Sequence, residues 1–254
     1  MEFTSEQHLD DGVVEREFAL GEIPGILWTG VTGAGPVPLV LLGHPGGLDR
    51  MHDRLVARAR DCVAQGYAAA TIELPGSGGR ASIASVDGAR ADVRRVLQAG
   101  RPVDDDIIDR LILPLVDEAV PEWQRTLDAL LALPGIGGPV GFVGGVIAVG
   151  TRLAVVEPRI VAAILFAGSF IPRTVLEQAG RVTIPLHVLL QWDDEGNDRQ
   201  RALELFDAFG SDEKALHANM GGHTGVPQHE GDAGRQFLGR HLGPGSTACV
   251  RSSR

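Results

Sequence analysis

Cysteine is scarce in this sequence, with two residues in 254: Cys62 within a helical pattern and Cys249 near the C-terminus. Two such distant thiols do not predict a disulfide framework. The polar opening segment, MEFTSEQHLDDG, has no basic stretch followed by an apolar core, so no secretory signal is predicted. No apolar run reaches the roughly 18–20 residues that a membrane span needs. We therefore expect a cytoplasmic protein with no membrane partner.

Basic residues are also in the minority. There are 23 lysines and arginines against 33 aspartates and glutamates, for a net charge of −10. Nucleic-acid binding needs a basic face, so a nucleic-acid partner is not expected. The sequence contains neither a G-x-x-x-x-G-K-[ST] phosphate loop nor an H-E-x-x-H motif, so no nucleotide cofactor and no metal are predicted. A small-molecule substrate or ligand is the remaining partner class, and no pattern indicates an oligomeric state.

Short aliphatic runs bounded by Gly and Pro alternate with helical patterns along most of the chain. An antiparallel hairpin is predicted over Val13–Trp28. Further strands are predicted at Val37–Leu42, Tyr67–Leu74, Pro139–Phe142, Ile160–Phe166, Pro185–Trp192 and Lys214–Ala218. Helices are predicted at Asp49–Gln65, Gly144–Val156, Asp198–Phe209 and Glu230–His241. Such alternation predicts an α/β fold: a mostly parallel sheet with helices on both faces.

Residues 1–241 are predicted to form one domain, because no linker or internal repeat divides them. The mainly helical stretch 86–133 is either a crossover or a small cap over a cleft. Residues 242–254 are expected to be a disordered tail. Ligands of an open parallel sheet bind beyond the carboxyl ends of the strands. Functional residues are therefore expected in the strand-end loops.

Those loops occur in an informative order. The first is Gly43-His44-Pro45-Gly46-Gly47, and the second is the Pro-Gly-Ser-Gly segment after Leu74. The third is Gly141-Phe142-Val143-Gly144-Gly145. Late in the chain, Asp193 and Asp194 end one strand, and His223 follows another. Over roughly residues 13–241 this series resembles the α/β-hydrolases, especially the dienelactone-hydrolase-like esterases, which implies a three-layer α/β-hydrolase fold.

The nucleophile of that family lies in a G-x-S-x-G elbow between a strand and a helix. Here Gly141 and Gly145 fill the outer positions, and the serine position is occupied by Val143. An alkyl side chain has no lone pair with which to attack a carbonyl, so an acyl-enzyme cannot form at residue 143.

The resemblance implies roles for the other loop residues. Asp194, with Asp193 as its rival, would orient His223 as the general base. The N–H groups of Gly46 and Gly144 would form the oxyanion hole. The substrate-binding positions implied are His44, Gly47 and Trp192. His44 could equally be a buried structural residue, and Trp192 could pack a strand end.

Other hydroxyls could replace the missing nucleophile. Ser77 lies in a Gly-Ser-Gly loop but lacks a helix directly behind it. A shifted alignment would bring Thr151 or Ser169 into consideration. His217 and His229 have no evident partner and are interpreted as surface or packing residues.

Three functions stay open at this stage. In the first, the chain is a relative of esterases that act on small esters or lactones, and its residue 143 has been altered. Alternatively it is a non-covalent lyase, isomerase, dehydratase or cyclase that uses His223 as general base. Alternatively it is an inactive small-molecule-binding protein.

Overall fold

The computed structural model describes residues 1–9, 11–31, 35–168 and 170–243. The strands in these ranges are β1 (Glu2–His8), β2 (Val13–Leu20), β3 (Ile23–Gly30), β4 (Val37–Gly43), β5 (Ala68–Ile72), β6 (Ile136–Gly144), β7 (Ile160–Phe166), β8 (Leu186–Gln191) and β9 (Lys214–Asn219). The helices are α1 (Leu48–Ala64), α2 (Ala84–Gln98), α3 (Asp105–Leu131), α4 (Ile147–Val156), α5 (Arg173–Ala179), α6 (Arg199–Ala208) and α7 (Gln228–Leu242).

All the described strands belong to one sheet, in the order β1-β2-β3-β5-β4-β6-β7-β8-β9. The β1–β2, β2–β3 and β3–β5 pairs are antiparallel, and every pair from β5–β4 to β8–β9 is parallel. The mostly parallel α/β fold predicted from the sequence is therefore confirmed. Its parallel strands end at one common edge, which carries the loops of interest.

Helices cover the sheet on both faces, which explains why the central strands are apolar throughout. Along β4, Leu39 and Leu41 belong to the core cluster on the α3–α6 side of the sheet, whereas Val40 and Leu42 belong to the cluster on the α1 and α7 side. This period of two, with both faces buried, produces the unbroken run VPLVLL.

The sequence patterns missed two elements. Strand β1 is exposed at every residue and pairs only with β2, so it lacks the apolar alternation that marks a half-buried strand. Helix α5 has seven residues, too few to establish a helical period. The predicted tail beyond Gly243 lies outside the described residues, and Leu242 is a buried residue at the end of α7.

The 86–133 stretch consists of α2 and α3. The second half of α3 contributes Trp123, Leu127 and Leu130 to the main core, as a crossover helix does. Its first half and α2 lie over the strand-end loops, where Ile112 and Val86 help to line a cavity of about 150 Å³. Among the described residues, no helix is both long and apolar enough to span a bilayer.

Candidate functional site

The connection between β6 and α4 is a tight strand–turn–helix. Gly144 and Gly145 have φ values of +84° and +77°, in the left-handed region that favours glycine. A Cβ on Gly145 would lie 2.9 Å from the Cα of Gly43, so only glycine lets the ends of β4 and β6 approach this closely. The Gly-Gly pair in the sequence is explained by this turn.

Val143 lies one residue before the turn. It pairs with Leu42 on one side and Ile164 on the other, and its half-buried side chain packs in the α1/α7 layer. Val146 is the N-cap of α4 and lines the cavity beneath α2 and α3. Residues 143–147 read Val-Gly-Gly-Val-Ile, so no hydroxyl or thiol lies at any position between strand and helix.

The loops after β8 and β9 are joined by a His–Asp pair. His223 Nδ1 donates to Asp194 Oδ2 at 2.8 Å, while Asp194 Oδ1 accepts from the Gly196 N–H at 3.1 Å. The Asp194 side chain is only 9% exposed, whereas the His223 side chain is 85% exposed. The Asp193 N–H donates to the Gly221 carbonyl. The His223 ring is thus held at Nδ1, and its Nε2 faces solvent.

His44 is a buried structural residue of the β4–α1 loop. Its Nε2–H donates to the Ile72 carbonyl at 2.8 Å, and its Nδ1 accepts from the Gly46 N–H at 3.1 Å. Burial lowers the pKa of His44, in accord with a neutral imidazole that donates at one nitrogen and accepts at the other. The Gly46 N–H predicted for the oxyanion hole is therefore already hydrogen-bonded within the protein.

The next N–H groups of the same loop bind a buried carboxylate. Glu73 accepts from the N–H groups of Gly47 at 2.9 Å, Leu48 at 2.7 Å and Leu74 at 2.9 Å, and from the Ser77 hydroxyl. Burial acts to raise the pKa of Glu73, but the hydrogen bonds from Ser77, Leu48 and Gly47 outweigh it, and the pKa is lowered. Ser77 is consequently fixed by Glu73 rather than free to attack a substrate.

A largely apolar pocket of about 190 Å³ lies beside Val143, between α1 and α7. Arg58 is the unusual residue in its wall. The guanidinium lies 5.1 Å from the centre of the Phe166 ring, and its Nη1 lies 3.0 Å from where a Cβ on Gly144 would stand. Burial, and next the charge of Arg54, lower the pKa of Arg58. The other lining residues include Leu42, Ile164, Leu189, Val226, Glu230 and Leu238.

Arg58 lacks a counter-charge. No residue in the described ranges forms a hydrogen bond or an ion pair with it, because Asp61, which also lines the pocket, is paired with Arg235 at 3.6 Å. Burying part of a cation costs free energy unless an anion or a hydrogen-bond acceptor pairs with it. The pocket therefore offers an apolar wall and one cation, Arg58, that has no partner among the described residues; Arg235, which also lines it, is paired with Asp61.

Sequence reasoning missed both Arg58 and Glu73 as site residues. Arg58 looked like an ordinary charged position on an amphipathic helix, and only packing reveals that it turns inward. Glu73 did carry a signal, because a carboxylate directly follows the fully buried strand β5. Trp192 is 37% exposed and its ring lies 4.1 Å from the Arg199 guanidinium. Thr151 is buried within α4, and Ser169 lies outside the described residues.

The sequence matches no protein-family model and no curated protein. Solved structures do match. A cold-adapted esterase from an Arctic intertidal metagenomic library is 27% identical, with a TM-score of 0.73 over 95% of this chain and 100% of that one. Acetyl xylan esterase 1 from Thermoanaerobacterium sp. JW/SL YS485 has 14% identity and a TM-score of 0.63, covering 93% of this chain and 86% of that one.

A protein from Klebsiella pneumoniae, described as a dienelactone hydrolase, has 13% identity and a TM-score of 0.64, covering 89% of this chain and 97% of that one. The structural neighbours are thus esterases and dienelactone-hydrolase-like α/β-hydrolases. The more distant two support the fold alone.

Proposed function

We propose that this chain is an esterase-like protein of the α/β-hydrolase fold that binds a small ester, lactone or carboxylate without forming an acyl-enzyme. One observation carries the proposal: no residue between β6 and α4 has a nucleophilic side chain. The proposal does not depend on which residue of 143–146 stands at the tip of the elbow, because none of the four could be acylated.

The surrounding groups favour binding over turnover. An oxyanion hole needs N–H donors aimed at the developing charge. Here the Gly46 N–H is bound to His44, and the Gly47 and Leu48 N–H groups are bound to Glu73. His223 is largely exposed and does not line the Val143 pocket. Ligand recognition is therefore assigned to the pocket rather than to a closed catalytic centre.

The pocket wall indicates the ligand class. Leu42, Val143 and Ile164 suit an apolar body of a few carbon atoms, and Arg58 suits a carbonyl or carboxylate head. Arg58 extends the expected class to short-chain carboxylates.

Replacing Arg58 by Gln should weaken carboxylate binding by about 10–100-fold, because a charge-assisted hydrogen bond contributes about 1.5–3 kcal/mol. Isothermal titration with hexanoate and with its ethyl ester measures the change, and the carboxylate should suffer the larger loss. Arg54→Gln is the matched control, because Arg54 is an exposed arginine on the same helix. Equal affinities in the protein and in both variants would place the ligand elsewhere.

A non-covalent enzyme is the second candidate, and the 2.8 Å His223–Asp194 hydrogen bond favours it. We expect His223→Ala to leave hexanoate affinity within about twofold, because His223 does not line the pocket. The assay follows a set of small lactones by NMR in parallel. A conversion that is present in the protein and falls about 10²–10⁴-fold in His223→Ala would favour the base-catalysed enzyme instead.

A further inference from the structure

Two histidines and a glutamate converge on the α7 face of the sheet: His187, His217 and Glu230. His217 in β9 pairs with Leu189 in β8, so His187 stands two residues earlier in β8 and on the same face. The two imidazole centres are 4.3 Å apart. Glu230, in the first turn of α7, approaches them from the helix layer. Three separate regular elements therefore supply the three side chains.

Their potential ligand atoms are close enough to share one ion. His217 Nδ1 lies 2.8 Å and His187 Nε2 lies 3.6 Å from the same oxygen, Glu230 Oε2. One ligand atom from each residue lies within 4.8 Å of the other two. Tetrahedral zinc, with bonds of about 2.0–2.2 Å, requires ligand atoms separated by about 3.3 Å. Small side-chain adjustments bring the observed spacing to that value.

Burial gives the cluster a reason to hold an ion. The His187 side chain is 5% exposed and that of Glu230 is 4% exposed. His187 Nε2 is buried and has no hydrogen-bond partner, which is unusual because buried polar atoms are nearly always satisfied. A bound metal ion would give this nitrogen the partner that it lacks. The His217 side chain is 39% exposed, so the cluster has an open side through which an ion and a water molecule could enter.

We propose that His187, His217 and Glu230 bind a divalent transition metal of the zinc class, with a fourth position open to solvent. Two imidazoles and one carboxylate are a ligand set that zinc uses when it retains a bound water. The sequence alone does not indicate this site, because the three residues follow no metal-binding spacing and meet only when β8, β9 and α7 pack together.

The position of this metal suggests its effect on the molecule. It would brace β8, β9 and α7, and the loops after β8 and β9 carry Asp194 and His223. Glu230 also lines the Val143 pocket, so the ion would stand behind one wall of that pocket. The inference depends on the cluster alone and not on the proposed ligand.

Zinc titration of the untagged, chelator-treated full-length chain tests the site. We expect one Zn²⁺ per chain and, at 100-fold excess over Kd, a Tm increase of about 5–10 °C. Cobalt should give the intense visible absorption of a four- or five-coordinate ion. Glu230→Gln and His217→Ala should each weaken zinc binding by at least about 100-fold. Because His217 is partly exposed, its variant should fold, which circular dichroism without metal verifies.

His229→Ala is the matched control. His229 is 72% exposed and lies next to Glu230 in sequence, with Nε2 3.6 Å from Glu230 Oε1, but it is outside the cluster. Because an exposed ion pair at 3.6 Å contributes little, its loss should change zinc affinity by less than about threefold. A chain that binds no stoichiometric zinc, a six-coordinate cobalt spectrum, or equal losses in His229→Ala and His217→Ala would each overturn the proposal.

Discussion

The protein is expected to form no covalent adduct with a fluorophosphonate probe and to show no burst with an activated ester. Both measurements require an attacking oxygen, and residues 143–147 contain none. Removal of a triad nucleophile lowers kcat by about 10⁶-fold, although residual acceleration of roughly 10³–10⁴ over water can persist without it. Intact-protein mass spectrometry is therefore a better readout than slow background hydrolysis.

A serine scan of the elbow makes this prediction specific. Val143→Ser tests the position that corresponds to the family's serine. Val146→Ser tests the N-cap of α4, where serine is also a favourable capping residue. Gly145→Ser is unsuitable, because its Cβ would meet the backbone of Gly43 at 2.9 Å. We expect the folded Val143→Ser variant to be labelled, because Asp194 still holds the His223 ring at Nδ1.

The controls distinguish the effect of the missing nucleophile from the effect of the groups around it. Combining Val143→Ser with His223→Ala should abolish the labelling, because the imidazole must accept the hydroxyl proton. If Val146→Ser is labelled and Val143→Ser is not, the tip of the elbow lies at residue 146, three residues after the position that the family motif indicates. Labelling of the unaltered protein, at Ser77 or elsewhere, would contradict the proposed loss of covalent chemistry.

Replacing Glu73 by Ala should lower the free energy of unfolding by about 3–5 kcal/mol, because several buried N–H donors lose their acceptor at once. The donors are the backbone N–H groups of Gly47, Leu48 and Leu74. Urea unfolding at neutral pH measures the loss. Glu22→Ala is the control, because Glu22 is exposed in the β2–β3 turn and should change stability by about 0.5 kcal/mol or less.

The same carboxylate predicts acid sensitivity. The pKa of Glu73 is lowered in the folded protein below its ordinary value of 4.5. The stability that this shift contributes is therefore fully present above pH 4.5 and is lost as the pH falls through the folded pKa. In Glu73→Gln that part of the acid-induced loss should disappear, so unfolding curves of the two proteins should converge at low pH. Parallel pH dependence in both would contradict the role assigned to Glu73.

The sequence predicted the fold well because the signal was repeated. Each central strand is a short apolar run buried on both faces, and each is followed by glycine-rich turns and an amphipathic helix. Prediction failed where the sequence carries no such pattern. Strand β1 is exposed throughout, and α5 has only seven residues, too few for a helical period. The tight turn could be predicted from Gly144 and Gly145, because glycine readily adopts the positive φ values that both residues have.

The site was predicted less completely. Chain order suggested a contact between Asp194 and His223, and the structure contains that hydrogen bond at 2.8 Å. It did not reveal that the Gly46 N–H binds His44, since this contact depends on how the β4–α1 loop closes. Arg58 was missed because the inward direction of its side chain depends on the packing of α1 against Phe166.

By itself, the sequence determined the class of fold and the absence of a nucleophile between residues 143 and 147, because both follow from local residue identities and their order. Only the tertiary structure decided which N–H groups were already occupied, that Arg58 turns inward with no partner among the described residues, and that His187, His217 and Glu230 meet. Those properties depend on distances between residues far apart in the chain, and such distances are set by the packing of helices on the sheet.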